Sequence, residues 1–119
     1  MNETCPEAAL VREAPALLSV VLPVYNEKHV LEELTRRVSQ AASQCAGGFE
    51  IIYVNDGSSD GSGPALDDLA VRNRHVRVIH LARNFGHQAA VQAGLAHASG
   101  DCVVLMDSDL QDVPEAIPN

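Results

Sequence analysis

A single lysine, Lys28, stands in the 119-residue chain, and its scarcity excludes mechanisms that need an amine on another element. Neither a phosphate-loop lysine nor a Schiff base on an interior strand has a candidate. Basic residues in general are few: 8 Lys+Arg against 16 Asp+Glu give a formal charge of −8. A basic footprint for a nucleic-acid backbone is therefore lacking, and nucleic acid is excluded as a partner. The cysteines Cys5, Cys45 and Cys102 are odd in number, far apart and without C-x-x-C spacing. That pattern suggests neither a disulfide framework nor a zinc knuckle and fits a reducing compartment. The first residues carry no Lys or Arg, and the stretch from Ala8 to Leu18 is interrupted by Arg12, Glu13 and Pro15, so no secretory signal peptide is expected. No apolar run approaches the roughly 18 residues of a membrane span, and the chain is expected to be soluble. Neither G-x-G-x-x-G nor G-x-x-x-x-G-K-[ST] occurs, so the glycines do not read as a dinucleotide or triphosphate cradle.

What is present is one core. An apolar fraction of 46% with 20% charged residues suits a single domain, which at this length buries roughly two-thirds of the surface of its unfolded chain. Residues 1–16, rich in Glu, Ala and Pro without a sustained period, read as a mobile leader, and the domain is expected over 17–119. Four short runs rich in β-branched residues read as strands: Leu18–Leu22, Ile51–Val54, Val76–Leu81 and Cys102–Met106. Three of them are apolar at nearly every position, as strands covered on both faces are. The third interleaves Arg77 and His80 and reads as an edge.

Helical patterns lie between the strands. In the first, Val30, Leu31, Leu34, Val38, Ala41 and Ala42 form one stripe, with Gly47-Gly48 as the stop. The second, about Gly63 to Arg72, buries Leu66, Leu69 and Ala70. The third, about His87 to Ala98, is mostly alanine, a surface that lets a helix approach a sheet closely, and Gly100 is its expected C′ residue. The alternation βαβαβαβ predicts an α/β fold with a mostly parallel sheet and flanking helices. Unusual polar clusters all follow the C-terminal ends of strands, the ligand-binding edge of open parallel sheets.

The strongest local signal is Met106-Asp107-Ser108-Asp109-Leu110-Gln111-Asp112. Carboxylates at i and i+2 project to one side of an extended chain. Mg2+ or Mn2+ takes one or two such carboxylates together with a substrate's phosphate oxygens. Capping of a following helix explains Asp112, which opens a capping box with Glu115, but not Asp107 and Asp109. Pro23-Val24-Tyr25-Asn26-Glu27 closes the first strand. Pro23 ends the ladder for want of an N–H, and Asn26 is expected to cap the first helix. Tyr25 is either a core residue or a flat face for a nucleobase or sugar. Asn55-Asp56-Gly57-Ser58-Ser59-Asp60-Gly61 follows the second strand, and Ser59 or Asp60 can cap the second helix. The loop is either an ordinary connector or the place where Asp56, fixed at a strand end, accepts from a base N–H. In Arg83-Asn84-Phe85-Gly86-His87 a cation and a helix N-terminus can face an anion, although a lone arginine is commonly a surface ion-pair partner; the role of His87 is open.

Together, Val20–Glu27, Val54–Ser58, Arg83–Gln88 and Met106–Asp112, in this order across Leu18 to Asn119, resemble the inverting family 2 glycosyltransferases, and more narrowly the polyprenyl-phosphate or dolichyl-phosphate sugar transferases. The resemblance implies a Rossmann-like GT-A fold, a UDP- or GDP-linked diphospho-sugar as donor, a DxD motif with Mg2+ or Mn2+, and a lipid phosphate acceptor at the cytoplasmic membrane face. Carried over by position, it implies that Pro23 and Tyr25 flank the base, Glu27 lies near the nucleotide and Asp56 accepts from the base. Asp107 meets the ribose or the metal, Asp109 holds the metal against the diphosphate, and Ser108 and Gln111 stand beside them. Asn55 and Val113 depart from the family pattern, where Asp and Pro are frequent.

Family members continue well past the DxD strand into an acceptor half and often into membrane helices. The chain is therefore expected to be a truncated, nucleotide-binding half, inactive alone, with its catalytic base beyond residue 119 and its membrane contact in the missing region. Self-association is left open. Two other functions compete with this expectation: a family 2 transferase acting on a polysaccharide or other acceptor, and a phosphoacceptor signalling module. The latter needs a lysine on a late strand, whereas Lys28 is expected on the first helix.

Overall fold

Strand and helix alternate as the pattern predicts. The computed structural model describes residues 17–44 and 47–106. Its elements are β1 (Leu18–Val24), a 3-10 turn (Lys28–Val30), α1 (Leu31–Ser43), β2 (Phe49–Asn55), α2 (Ser62–Arg72), β3 (Val76–His80), α3 (His87–His97) and β4 (Cys102–Leu105). The expected leader, residues 1–16, lies outside the described residues. All strand pairs are parallel, in the order β3-β2-β1-β4.

The two faces of the sheet carry different layers. Leu18, Val20, Leu22 and Val24 of β1, with Ile51 and Tyr53 of β2, meet Leu31, Leu34 and Val38 of α1 and Leu66 and Leu69 of α2. On the opposite face Val21, Ile52 and Val54 meet Ala90 of α3. The chain thus winds outward over one face from β1 to β3, then crosses the other face and returns beside β1. Strand order reverses between β1 and β4, and in open α/β sheets the crevice at such a reversal receives the ligand.

α3 comes so close because of Gly94: a Cβ there would lie 2.3 Å from Val21 Cγ1 and 3.2 Å from Val54 Cγ2. Gly94→Ala is expected to destabilise the domain by about 1–3 kcal/mol through overpacking, despite alanine's better helix propensity. Urea denaturation at constant m-value measures this. Ala90 and Gly94 are the residues of α3 that become buried, whereas Leu95 stays 44% exposed.

Several sequence expectations need correction. Pro23 does not end β1; it pairs in register with Val54, and the strand runs on to Val24. Val21 O accepts from Met106 N–H and Val24 O from Asp56 N–H, so by alternation Pro23 turns its missing N–H toward β4, past the last paired residues Val21 and Leu105. β4 has layers on both faces, Cys102 and Val104 packing with the α1 and α2 side and Val103 with the α3 side, but among the described residues it pairs with β1 alone and Leu105 is 49% exposed. Gly47-Gly48 does not directly close α1, which ends at Ser43 with Gln44 as a right-handed C-cap whose N–H bonds Ala41 O. Gly100 is likewise no C′ residue in the left-handed region. α3 ends in an extended Ala98, and Gly100 is needed for space, since a Cβ would lie 2.6 Å from Ser19 Oγ and 2.8 Å from Leu17 O.

At the N-terminal edge of the sheet, Glu50 is buried and gathers three elements. It accepts from Ser19 Oγ at 2.6 Å, from Ser99 N–H at 2.8 Å and from the Arg77 guanidinium at 2.8 Å. Burial alone would raise its pKa, but these donors outweigh burial and hold it below the ordinary 4.5. A lowered carboxylate pKa stabilises the fold fully above the unfolded value and loses that contribution as pH falls through the folded value. The melting temperature is therefore expected to fall as pH drops below about 4.5, with Glu50→Gln flattening that part of the profile. Thermal scans at stepped pH measure it.

Candidate functional site at the C-terminal edge of the sheet

The loops leaving β1, β2 and β3 meet at one edge. Tyr25 leaves β1 47% exposed, so it is not a core residue. Asn26 follows with φ 56, a left-handed conformation that asparagine tolerates better than most residues. It does not cap α1, whose N-cap Val30 makes no side-chain capping bond because a 3-10 turn intervenes. Instead Asn26 ties two loops together: its N–H donates to Ser58 Oγ at 3.0 Å, and its Oδ1 accepts from Ser59 N–H at 2.8 Å. Asp60 adds a third tie, accepting from Lys28 N–H at 3.2 Å and from Ser62 N–H and Oγ at the start of α2. The Ser62 hydroxyl and the backbone donors hold the Asp60 carboxyl below its usual range. The turn that carries Tyr25 and Glu27 is in this way fixed to the loop that carries Asp56.

Asp56, 4% exposed, stands directly after β2, and its N–H bonds Val24 O. Its oxygens accept from the first residues of the α3 approach, Oδ1 from Phe85 N–H at 2.8 Å and Oδ2 from Gly86 N–H at 3.1 Å. Each carboxylate oxygen has a second lone pair, so the group retains acceptor capacity. Gly57 permits the contact: it has φ +74, and a Cβ would lie 2.4 Å from Asn84 N and 2.5 Å from Arg83 C. The Arg83 guanidinium lies 4.6 Å from the centroid of the half-exposed Phe85 ring, a cation–π pair at the rim.

The structure therefore brings Tyr25, Glu27 and Asp56 to one edge, with the half-buried Pro23 just inside it. Asp107, Ser108, Asp109 and Gln111, like Asp112, lie outside the described residues. The described chain stops at Met106, which is buried and whose N–H donates to Val21 O beside the reversal of strand order. Among the described residues no group of three or more His, Cys, Asp or Glu side chains could hold a metal ion. No helix among them is long and apolar enough to cross a membrane. Sequence reasoning missed the Phe85 and Gly86 amides as partners of Asp56. The one available signal was Gly86 before α3, whose φ of 103 turns the loop inward.

Comparisons with known proteins identify the family and the fold. A relative from Enterobacter sp. (strain 638), an undecaprenyl-phosphate 4-deoxy-4-formamido-L-arabinose transferase, is 45% identical over 107 residues, covering 89% of this chain and 33% of that protein. Among solved structures, glucosyl-3-phosphoglycerate synthase from Mycobacterium tuberculosis, in complex with Mn2+, UDP and glucosyl-3-phosphoglycerate, is 27% identical with a TM-score of 0.67, over 87% of this chain and 37% of that one. A mannosyltransferase from Pyrobaculum calidifontis, in complex with GDP-Man and Mn2+, is 24% identical with a TM-score of 0.69, over 82% and 28%, and carries the GT-A fold assignment. The chain spans about a third of the length of the curated relatives it matches. The family model described as glycosyl transferase family 2 matches residues 19–119, and the chain belongs to that family.

Proposed function

We propose that the chain is the donor-binding part, residues 17–119, of a metal-dependent inverting glycosyltransferase that moves a hexose from a UDP- or GDP-linked donor to a polyprenyl or dolichyl phosphate. The observation that carries this reading is the common edge. Tyr25, Glu27 and Asp56 stand at strand ends beside the reversal between β1 and β4, and the acidic segment begins one residue after Met106. A relative named for transfer to undecaprenyl phosphate supports the acceptor class, and a neighbour solved with Mn2+ and UDP supports the donor class.

In this reading Pro23 and Tyr25 flank the base, Glu27 lies near the nucleotide, and Asp56 accepts from a base N–H through its remaining lone pairs. Ser108 and Gln111 contact the donor. Asp107 and Asp109 are hard oxygen ligands of the kind Mg2+ or Mn2+ takes alongside diphosphate, so the donor set fits the ion. Bound there, the ion supplies positive charge that offsets the charge developing on the nucleoside diphosphate. The catalytic base and the acceptor site belong to the rest of the protein, which works at the cytoplasmic face of a membrane.

Calorimetry of the chain with UDP- and GDP-sugars tests the donor half: weak binding that requires Mn2+ or Mg2+ is expected, and metal-independent binding contradicts it. Sugar transfer by the whole protein to undecaprenyl phosphate, against a polysaccharide acceptor, tests the other half. Transfer to the polysaccharide alone would replace the lipid reading.

A further inference from the structure

His80 ends β3 in register with Asn55 at the end of β2. Its two ring nitrogens face different partners. Nδ1 lies 3.0 Å from Asn55 Nδ2, and Nε2 lies 2.7 Å from Asp67 Oδ1 on α2. The roles in this trio follow from a group outside it. Ser58 N–H, which can only donate, is 3.0 Å from Asn55 Oδ1. The amide oxygen therefore faces Ser58, the amide NH2 faces His80, and Nδ1 must accept. The ring proton then sits on Nε2 and is donated to Asp67, the charged group that faces the ring from α2; β2 offers only the neutral Asn55, and Gly63 of α2 lies against the ring carbon between the two nitrogens.

The hydrogen bonds do not stop at Ser58. Its Oγ accepts from Asn26 N–H, so one continuous path runs from exposed Asp67 through His80, Asn55 and Ser58 to the turn that bears Tyr25 and Glu27. Asn55 is 7% exposed, and a buried amide turned the wrong way would set its NH2 against Ser58 N–H.

We propose that His80 is a positioning residue for the donor site: by presenting an unprotonated Nδ1 it holds the Asn55 amide in the orientation that anchors Ser58, and through Ser58 it fixes the two loops carrying Tyr25, Glu27 and Asp56. The donor-site part of this statement rests on the function proposed above. Asn55 has a specific task in it. An aspartate there would accept from both Ser58 and the imidazole and so require Nδ1 to donate, whereas the asparagine amide donates to Nδ1 and locks one tautomer.

The test uses nitrogen-resolved NMR of His80, amide exchange at Ser58, and affinity for UDP or GDP with Mn2+, on the chain and its His80→Phe, His80→Gln and Asn55→Asp variants. The neutral imidazole is expected to carry its proton on Nε2 with Nδ1 accepting, and Nδ1 is expected to donate instead in Asn55→Asp. His80→Phe should stay folded by melting, lose exchange protection at Ser58, and bind the nucleotide about 3- to 10-fold more weakly, the worth of one hydrogen bond. His80→Gln, whose side-chain oxygen can accept from Asn55, should recover most of both. A proton on Nδ1, or unchanged Ser58 protection in His80→Phe, overturns the proposal. Lost protection in a chain that binds neither nucleotide supports the positioning of the loops and overturns the donor-site reading alone.

Discussion

Asp109→Ala is expected to abolish metal-dependent binding of the nucleotide-sugar by the chain and to lower sugar transfer by the whole protein roughly 10²- to 10³-fold, the scale of losing one element that stabilises charge on the leaving group. Hard cations bind diphosphates in proteins through very few carboxylates, so removing one of two leaves no site that competes with water. Asp112→Ala supplies the contrast. By its place in the sequence its carboxylate is expected to open a capping box with Glu115, and its loss is expected to cost about 1 kcal/mol of stability while leaving the metal dependence intact. Calorimetry with and without Mn2+, paired with transfer assays, separates the two. Equal losses in both variants would assign the acids to a structural role, and unchanged metal dependence in Asp109→Ala would remove the metal from the proposed mechanism.

Much of the architecture was legible because both periodicities are strong. The alternation of β-branched runs with the stripe Leu31, Leu34, Val38 and Ala42 places every described strand and α-helix, though not the 3-10 turn, within a few residues of its observed bounds, and Arg77 and His80 mark β3 as an edge. What escaped was set by tertiary contact. Pro23 is harmless inside β1 because its deficit faces a side where the ladder has ended, which no local rule foresees. Gly100 reads as a helix cap by position, yet its requirement comes from Ser19, 81 residues away, whose hydroxyl receives the Gly100 N–H. At the site, strand-end residues were readable from type and place. Their partners were not. Asn26 reads as an N-cap from sequence alone, but the turn at Lys28–Val30 moves the helix start away from it, and the residues that use it are Ser58 and Ser59. His80 showed in the sequence only as an edge-strand polar residue, because its partner Asn55 is adjacent only through the parallel register.

Asp56 carries the other large expected effect, and two substitutions separate its two tasks. In Asp56→Ala the N–H groups of Phe85 and Gly86 lose both acceptors in a nearly closed site. Each orphaned donor costs about 1–3 kcal/mol unless water reaches it. Because these groups lie in a loop and not in a strand or helix, part of the loss is expected to appear as faster amide exchange at Phe85 and Gly86 and the remainder as a lower melting temperature. Asp56→Asn is nearly isosteric but keeps one acceptor. Its oxygen can serve one of the two amides, while its NH2 confronts the other donor, so the loop should open at one of those two amides rather than both. Toward a base N–H the change is more severe, since a site built to accept presents a donor instead, and such mismatches discriminate strongly. Nucleotide affinity is accordingly expected to fall at least about tenfold in Asp56→Asn, although its stability falls less than that of Asp56→Ala. If Asp56→Asn instead opens the loop and leaves the affinity unchanged, Asp56 serves as a latch for the segment before α3, and recognition of the base lies with Tyr25 and its neighbours.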